Sequence, residues 1–425
     1  METLRIGDSG ADVQLLQLAL GRAGYSVGSI DGIFGQNTQN AVIKFQNDYR
    51  LIADGVVGPR TWQSLEPFLL GYIEHRVQWG DSYWSLANRY KTTISAIAAA
   101  NPEVNPQRLQ IGQILIIPLS FNVVPTNIVY TSHLVDFIVR GLKARYPFVK
   151  TGSIGKSVMG KEIPYLIIGA GSTQVSYNAS HHANEWITTP VLLKFLEQYA
   201  AAYSHGGRIN NVPASSLYNK ASLYLVPMVN PDGVDLVNGV INSGNYYTRA
   251  RTYANNYPSI PFPRGWKANI EGIDLNLQYP ASWEEARRIK YAQGFVSPAP
   301  RDFVGMAPLT APESRAMHDF TEQNKFSLIL AYHTQGEVIF WKYLDYLPVN
   351  SREIAGKMGR ASGYAVIETP RESAFAGYKD WFIQEYNRPG YTIEAGLGEN
   401  PLPISQFDNI YRKNIGILTL GITEI

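Results

Sequence analysis

Residues 125–425 read as an α/β domain with a mainly parallel, mixed sheet flanked by helices; a small helical domain (1–70) and a βααβ unit (74–119) precede it. Three observations predict this architecture. Strand-like and helix-like stretches alternate over about the last 300 residues, the pattern of a sheet covered on both faces. In residues 4–66, Leu15, Leu16, Leu18 and Leu20, then Ala41, Val42 and Phe45, recur at near-helical spacing. In residues 75–118 a short strand, two helical stretches and a closing strand follow one another. The chain of 425 residues is too long for one core, and 45% hydrophobic with 17% charged residues excludes wholesale disorder.

The net charge of +2 offers no electrostatic footing for nucleic acid or an anionic membrane surface, so neither is an expected partner. Any anionic polymer has to be recognised by shaped grooves. There is no cysteine, which excludes disulfides, thiolate metal sites and a cysteine nucleophile. The first twenty residues carry Asp8 and Asp12 and lack a basic segment followed by an apolar run, so no signal peptide is visible. No stretch approaches the ~20 apolar residues that span a bilayer. A soluble protein is expected, with its export route and oligomeric state unspecified.

In the helical domain each helix adjoins a related turn, Asp31-Gly32-Ile33-Phe34-Gly35 and Asp54-Gly55-Val56-Val57-Gly58, with Gly expected to take positive φ at the second and fifth positions. The longer string L-R-x-G-D-S-G-x-D-V-x-x-L-Q, Gly24-Tyr25, D-G-x-F-G, T-x-x-A-V-x-x-F-Q and D-G-x-V-G-x-x-T-W resembles the peptidoglycan-binding domain 1 family. In the next unit Asp81 or Ser82 can cap a helix beginning at Tyr83; a second helix, Thr93 to Ala100, stops at Asn101-Pro102. With G-D-S-x-W-x-L-A, N-P and L-x-I-G-Q-x-L-x-I-P, this unit resembles the LysM module, which implies binding of N-acetylglucosamine-containing glycans.

After the linker FNVVPTN, strands are expected at Tyr165–Ile168, Val175–Ser180, Leu223–Val229, Leu328–Tyr332, Ala365–Glu368 and Tyr391–Glu394. Helices are expected around Leu134–Arg145, Pro190–Tyr203, Glu313–Asn324, Arg352–Ala361 and Asp380–Tyr386. Ligands of such sheets sit at the carboxyl ends of strands, and the chemically unusual residues fall there. After the strand VSYNAS comes H-H-A-N-E-W-I-T, residues 181–188. An imidazole and a carboxylate a few residues apart suit zinc, and a catalytic zinc takes three protein ligands plus water. His333, ending another strand, supplies a third ligand. Spacing to Glu185 does not choose between His181 and His182. His75, His133, His205 and His318 read as solvated side chains near helix starts, loops or exposed faces.

H-x-x-E-W-I-T, N-P-D-G at 230–233, G-I-D-L-N at 272–276, the strand-ending His333 and T-I-E at 392–394 together resemble the carboxypeptidase A-like zinc peptidases over nearly all of residues 125–425. The resemblance implies one zinc ion held by His182, Glu185 and His333, with Glu394 as general base. It places Lys267, after Trp266, where the family has the arginine that stabilises the oxyanion, with Arg264 nearby. Such zinc lowers the pKa of its water toward ~7 and polarises the scissile carbonyl.

Three departures matter. The family's D-x-N-R carboxylate clamp is here Asp274-Leu275-Asn276-Leu277: Asn276 is kept and the arginine is lost. Leu cannot make bidentate contacts to a carboxylate, which speaks against ordinary carboxypeptidase action. In the segment carrying the S1′ specificity position, Gly377-Tyr378-Lys379-Asp380-Trp381, Lys379 favours an acidic group on the leaving residue. Glu372 stands where the family has its mobile tyrosine, with Tyr378 as the candidate to replace it. The stretch Asn238–Gly265, with Tyr246, Tyr247, Tyr253 and Tyr257, is expected as a long loop able to wall the cleft.

With the two wall-binding modules, these features resemble the γ-D-glutamyl-L-diamino acid endopeptidases. That implies a zinc-dependent peptidoglycan hydrolase, cell wall-associated, extracellular or in spores, whose partners are glycan chains and stem peptides. It would cut between D-Glu and meso-diaminopimelate. The alternatives are a zinc exopeptidase and, less favoured, a non-enzymatic wall adaptor.

Overall fold

The computed structural model describes residues 1–425, which divide into two compact units: Met1–Val129 with His133–Lys150, and Tyr130–Ser132 with Thr151–Ile425.

The first unit begins with helices Ala11–Arg22, Gln36–Asp48 and Pro59–Leu70. Each D-G turn is held by one buried glutamine. Gln17 Nε2 donates to Asp31 Oδ1 (2.9 Å), Ile33 O and Thr38 Oγ1 (3.2 Å each), while its Oε1 accepts from Gly32 N (2.9 Å). Gln46 repeats the pattern on Asp54, Val56, Thr61 and Gly55. A lone amide that satisfies four partners fixes the turn, because each buried polar group left unpaired costs stability. The second glycines take positive φ, Gly32 at 74° and Gly55 at 73°, as expected. The fifth ones do not: Gly35 (−89°) and Gly58 (−91°) are extended N-caps of the next helix.

The βααβ unit pairs β1 (Tyr72–Arg76) antiparallel with β2 (Ile114–Pro118), with helices Tyr83–Tyr90 and Ile94–Ala100 between them. Ser82 caps the first helix in a reciprocal bond with Ser85. Asp81 is occupied elsewhere, accepting from Gln78 N and pairing with His75 Nε2 at 2.7 Å. His75 is therefore not solvated as expected. It lies buried on β1, with Nδ1 against Tyr90 Oη at 2.9 Å, because two polar partners satisfy both ring nitrogens. Trp79 (90% exposed) and Trp84 (68%) stand in solvent. Helix Ser132–Arg145, read from sequence as part of the catalytic domain, groups with this first unit, Gly141 lying under the Leu70 carbonyl.

The second unit is built on eight strands: β3 (Lys150–Lys156), β4 (Glu162–Ile168) and β5 (Thr173–Ala179), then, past the small hairpin β6 (Arg208–Ile209) and β7 (Val212–Pro213), β8 (Ala221–Val226), β9 (Phe326–His333), β10 (Val338–Phe340), β11 (Ala365–Ile367) and β12 (Gly390–Glu394). Their order is β11-β10-β12-β9-β5-β8-β4-β3. The central strands β12, β9, β5 and β8 run parallel, and β10 and β4 pair antiparallel at either side. This is the mixed, mainly parallel sheet read from the alternation.

Helices Thr188–Ser204, Pro312–Glu322, Ser351–Ser362 and Tyr378–Tyr386 lie close to their expected places. Ala214–Lys220, Pro231–Val237, Gly244–Asn255, Trp283–Ala292 and Phe407–Thr423 were not anticipated. In the last, Gly421 lets Tyr177 come so close that a Cβ would sit 2.3 Å from its hydroxyl, which donates to Leu418 O at 2.8 Å. Packing on the sheet, rather than local propensity, makes this segment a helix.

If Gln17 holds its turn, Gln17→Ala lowers stability by about 1–3 kcal/mol, while the exposed Gln36→Ala stays within about 0.5 kcal/mol. Hydrogen exchange at the Gly32 amide, compared between the two variants, reads the effect locally.

Candidate metal centre

Parallel strands β5, β9 and β12 deliver three segments to one edge of the sheet. Ala179 lies opposite Tyr332, and His333 opposite Glu394. Past β5, Ser180 takes a positive φ of 53°, a strained conformation for a side chain. Thr188 and Thr189 hold it there: Ser180 N donates to Thr188 Oγ1 (3.1 Å) and Ser180 Oγ meets Thr189 Oγ1 (2.8 Å). The sharp exit sends the two histidines in different directions.

His182 points into the cleft and His181 does not. His182 Nδ1 lies 3.0 Å from Glu185 Oε1 and 3.0 Å from His333 Nδ1, and His333 Nδ1 lies 2.9 Å from Glu185 Oε2. All three residues are buried. His181 is fully buried between Tyr279, whose hydroxyl meets its Nε2 at 2.9 Å, and the stacked ring of Tyr378.

The donor set fits zinc. Asp274 Oδ1 lies 3.1 Å from His182 Nε2. An ionised carboxylate only accepts, so Nε2 carries the hydrogen and Nδ1 turns its lone pair toward Glu185 and His333. Two neutral nitrogens and a carboxylate on edges of about 3 Å match the spacing required around an ion bound at ~2.0–2.1 Å. One cation can be held by His182, Glu185 and His333.

The electrostatics surrounding this triad are strongly biased. Burial works against the Glu185 and Asp274 carboxylates, but His182 and Lys267 outweigh it and hold both well below the usual carboxylate range. Burial opposes the Lys267 ammonium as well, yet Glu185, 3.6 Å away, and Asp274 keep it above an ordinary lysine. Glu394 goes the other way: burial and the charge of Glu185 push it up to about 8, with Lys267 and His182 opposing. A bound divalent cation pulls it back down.

The triad opens on a cleft of about 660 Å³ whose lining includes Lys267, Asn276, Leu277, Lys379 and Glu394. Asn276 Oδ1 accepts from Tyr378 N (3.0 Å), so its amide NH₂ is the part left for a ligand. Lys379 reaches the cleft but is only 3% exposed. Its ammonium pairs with Asp380 Oδ1 (2.6 Å) and donates to Lys342 O (2.8 Å) and Thr369 Oγ1 (3.0 Å), so the charge expected to favour an acidic group on the leaving residue is already paired within the protein. Tyr378 is no substitute for the mobile tyrosine, because its fully buried ring bonds Thr321 Oγ1 at 2.9 Å. Arg264 is exposed and outside the cleft lining.

The stretch 238–265 is not one loop, since its middle forms the helix Gly244–Asn255. Its last residues, Ser259, Ile260, Pro261 and Gly265, wall the cleft, and none of the four tyrosines does. Sequence reasoning missed two groups: Asp274, whose signal was its place in D-x-N, and Arg301, which lines the cleft from a segment without any motif.

A central mixed sheet with His-x-x-Glu after one strand and a histidine ending the next defines a metallopeptidase. The chain belongs to the zinc carboxypeptidase family, whose model matches residues 136–416. A peptidoglycan binding domain model matches residues 9–65 and a LysM domain model residues 75–118, which indicates binding to cell-wall material. Gamma-D-glutamyl-L-diamino acid endopeptidase 1 of Lysinibacillus sphaericus is 43% identical over 397 residues, 81% of this chain and 98% of that one. The uncharacterized protein YqgT of Bacillus subtilis is 40% identical over 68% of this chain and 76% of its own length. Among solved structures, carboxypeptidase A of Helicoverpa armigera superposes with a TM-score of 0.52 at 19% identity, covering 99% of each chain, a likeness of fold. No helix is long and apolar enough to cross a membrane.

His182→Ala should lose zinc, measured as metal per chain, whereas His181→Ala retains it. Asp274→Asn, which leaves the ligands in place, weakens zinc affinity about 10–100-fold.

Proposed function

We propose that the protein is a zinc-dependent γ-D-glutamyl-L-diamino acid endopeptidase that cuts peptidoglycan stem peptides between D-Glu and the diamino acid. The observation that carries this reading is Leu277, which lines the cleft where an exopeptidase of the family needs an arginine for the C-terminal carboxylate. The relative from Lysinibacillus sphaericus, matched over nearly its whole length, bears that activity in its name.

Zinc at the triad supplies an acidified water and a Lewis acid for the scissile carbonyl. The chain's own groups do the rest. Glu394, at the end of β12 beside His333, takes the proton of the attacking water and passes it to the leaving amine. Lys267, kept charged by Glu185 and Asp274, faces the developing oxyanion. Asn276 presents its amide to the substrate from the Asp274 turn. The peptidoglycan-binding and LysM modules raise the local concentration of an insoluble substrate, so that stem peptides are met without a tight active site. The protein then works at the cell wall, outside the cell or in spores.

Glu394→Gln abolishes release of diaminopimelate from L-Ala-γ-D-Glu-meso-diaminopimelate, yet keeps its zinc and still co-sediments with purified sacculi. Rapid trimming of ordinary C-terminally apolar peptides, with the tripeptide untouched, would instead identify an exopeptidase. The base works ionised, so kcat/KM falls as pH drops through the pKa of Glu394. Lys267→Met removes a positive charge that lowers that pKa; it moves the acid limb to higher pH and cuts kcat by about 10²–10³-fold.

A further inference from the structure

Resting on the endopeptidase reading, the cleft presents an unanswered charge problem. A γ-linked D-glutamyl residue keeps a free α-carboxylate only four carbon–carbon bonds, about 5 Å, from the scissile carbonyl. The diamino acid brings carboxylates on the other side of that bond. These anions must enter a cleft already lined by Asp274, Asp302, Asp380 and Glu394, and desolvating an unpaired carboxylate there is costly.

Four cations line the same cleft: Lys267, Lys290, Arg301 and Lys379. Three are committed. Lys379 is buried on Asp380, and Lys290, 8% exposed, pairs with Asp302 Oδ1 at 2.7 Å. Lys267 faces Glu185 and the reacting centre. Arg301 is different. Its side chain is 46% exposed, and one nitrogen, Nε, bonds Asp302 Oδ2 at 2.5 Å. The two terminal nitrogens have no hydrogen-bond partner.

The group is also built into the site. Asp302 holds Arg301 on Oδ2 and Lys290 on Oδ1, and its own N–H donates to Asp274 Oδ2 at 3.1 Å. The backbone carbonyl of Pro300, one residue earlier, accepts from Lys267 N at 2.7 Å. The same short segment thus fixes the guanidinium relative to the Asp274–His182 pair and to Lys267. Burial disfavours its charge, but Asp302, Asp274 and Glu185 more than compensate, so Arg301 stays fully cationic.

We propose that Arg301 is the carboxylate clamp of this cleft, binding a carboxylate of the stem peptide through its free terminal nitrogens in place of the arginine absent at position 277. Nε held by Asp302 leaves the fork pre-oriented, so little side-chain entropy is lost on binding. The ligand is either the α-carboxylate of D-Glu or a carboxylate of the diamino acid.

The test is kcat/KM of the wild type, Arg301→Gln and Arg301→Lys on L-Ala-γ-D-Glu-meso-diaminopimelate. Two analogues accompany it, one with the D-Glu α-carboxylate amidated and one with the diamino acid carboxylates amidated. Arg301→Gln should lose about 10–100-fold on the parent peptide, mainly in KM, with zinc content unchanged, and Arg301→Lys should recover part of it. On one analogue the loss should vanish, and that analogue identifies the carboxylate bound. An equal loss on all three peptides, or no loss on any, overturns the proposal. If the wild type cleaves none of them, the endopeptidase reading fails. Tripeptide affinity of Glu394→Gln with and without Arg301→Gln then decides the clamp: weaker binding without Arg301 supports it, and equal binding overturns it.

Discussion

A carboxylate sealed inside a protein has to be met from every side, and at Asp274 those partners organise the cleft. One oxygen takes His182 Nε2 and the Asn276 amide; the other takes the Asp302 amide. The first contact sets the tautomer of a ligand. The second, from the backbone N–H of Asn276, fixes the turn that carries this residue, and the third anchors the segment that carries Arg301. Because Asp274 is ionised against the penalty of burial, it also keeps Lys267 charged. One side chain thus contacts a candidate metal ligand, the Asn276 turn and the Asp302 backbone at once.

The mixed sheet makes this coupling possible. Parallel β5, β9 and β12 end together, so residues 148 and 151 positions apart in the chain meet within about 3 Å. The strain at Ser180 is tolerated because Thr188 and Thr189 bond it from the following helix. That turn decides which of two adjacent histidines enters the cleft.

The cleft's charges are arranged by pairing rather than by number. Lys379 and Lys290 are neutralised by neighbouring carboxylates and serve packing, while Lys267 and Arg301 keep donors available. A buried ion pair commits both partners, so the presence of a lysine at a specificity position says little until its neighbours are known. Leu277 and the guanidinium-bearing Arg301 line the same cleft.

Much of this was written locally in the chain. Repeated D-G turns, the G-D-S cap and strand alternation are short-range patterns, each readable because its chemistry needs those residue types at that spacing; His182, Glu185, His333 and Glu394 are named through the resemblance to the zinc peptidases. The wall-binding modules and the family followed from longer motif strings. What the sequence could not decide was orientation and pairing. His181 and His182 are equivalent by spacing; Tyr378 and Lys379 look available until Thr321 and Asp380 are beside them; His75 looks solvated until Asp81 and Tyr90 close on it. Gln17 and Gln46 are ordinary polar letters whose role exists only once two turns fold over them. Arg301 has no motif at all. Burial and hydrogen-bond satisfaction are properties of surroundings that arrive from distant parts of the chain, and only the tertiary structure sets them.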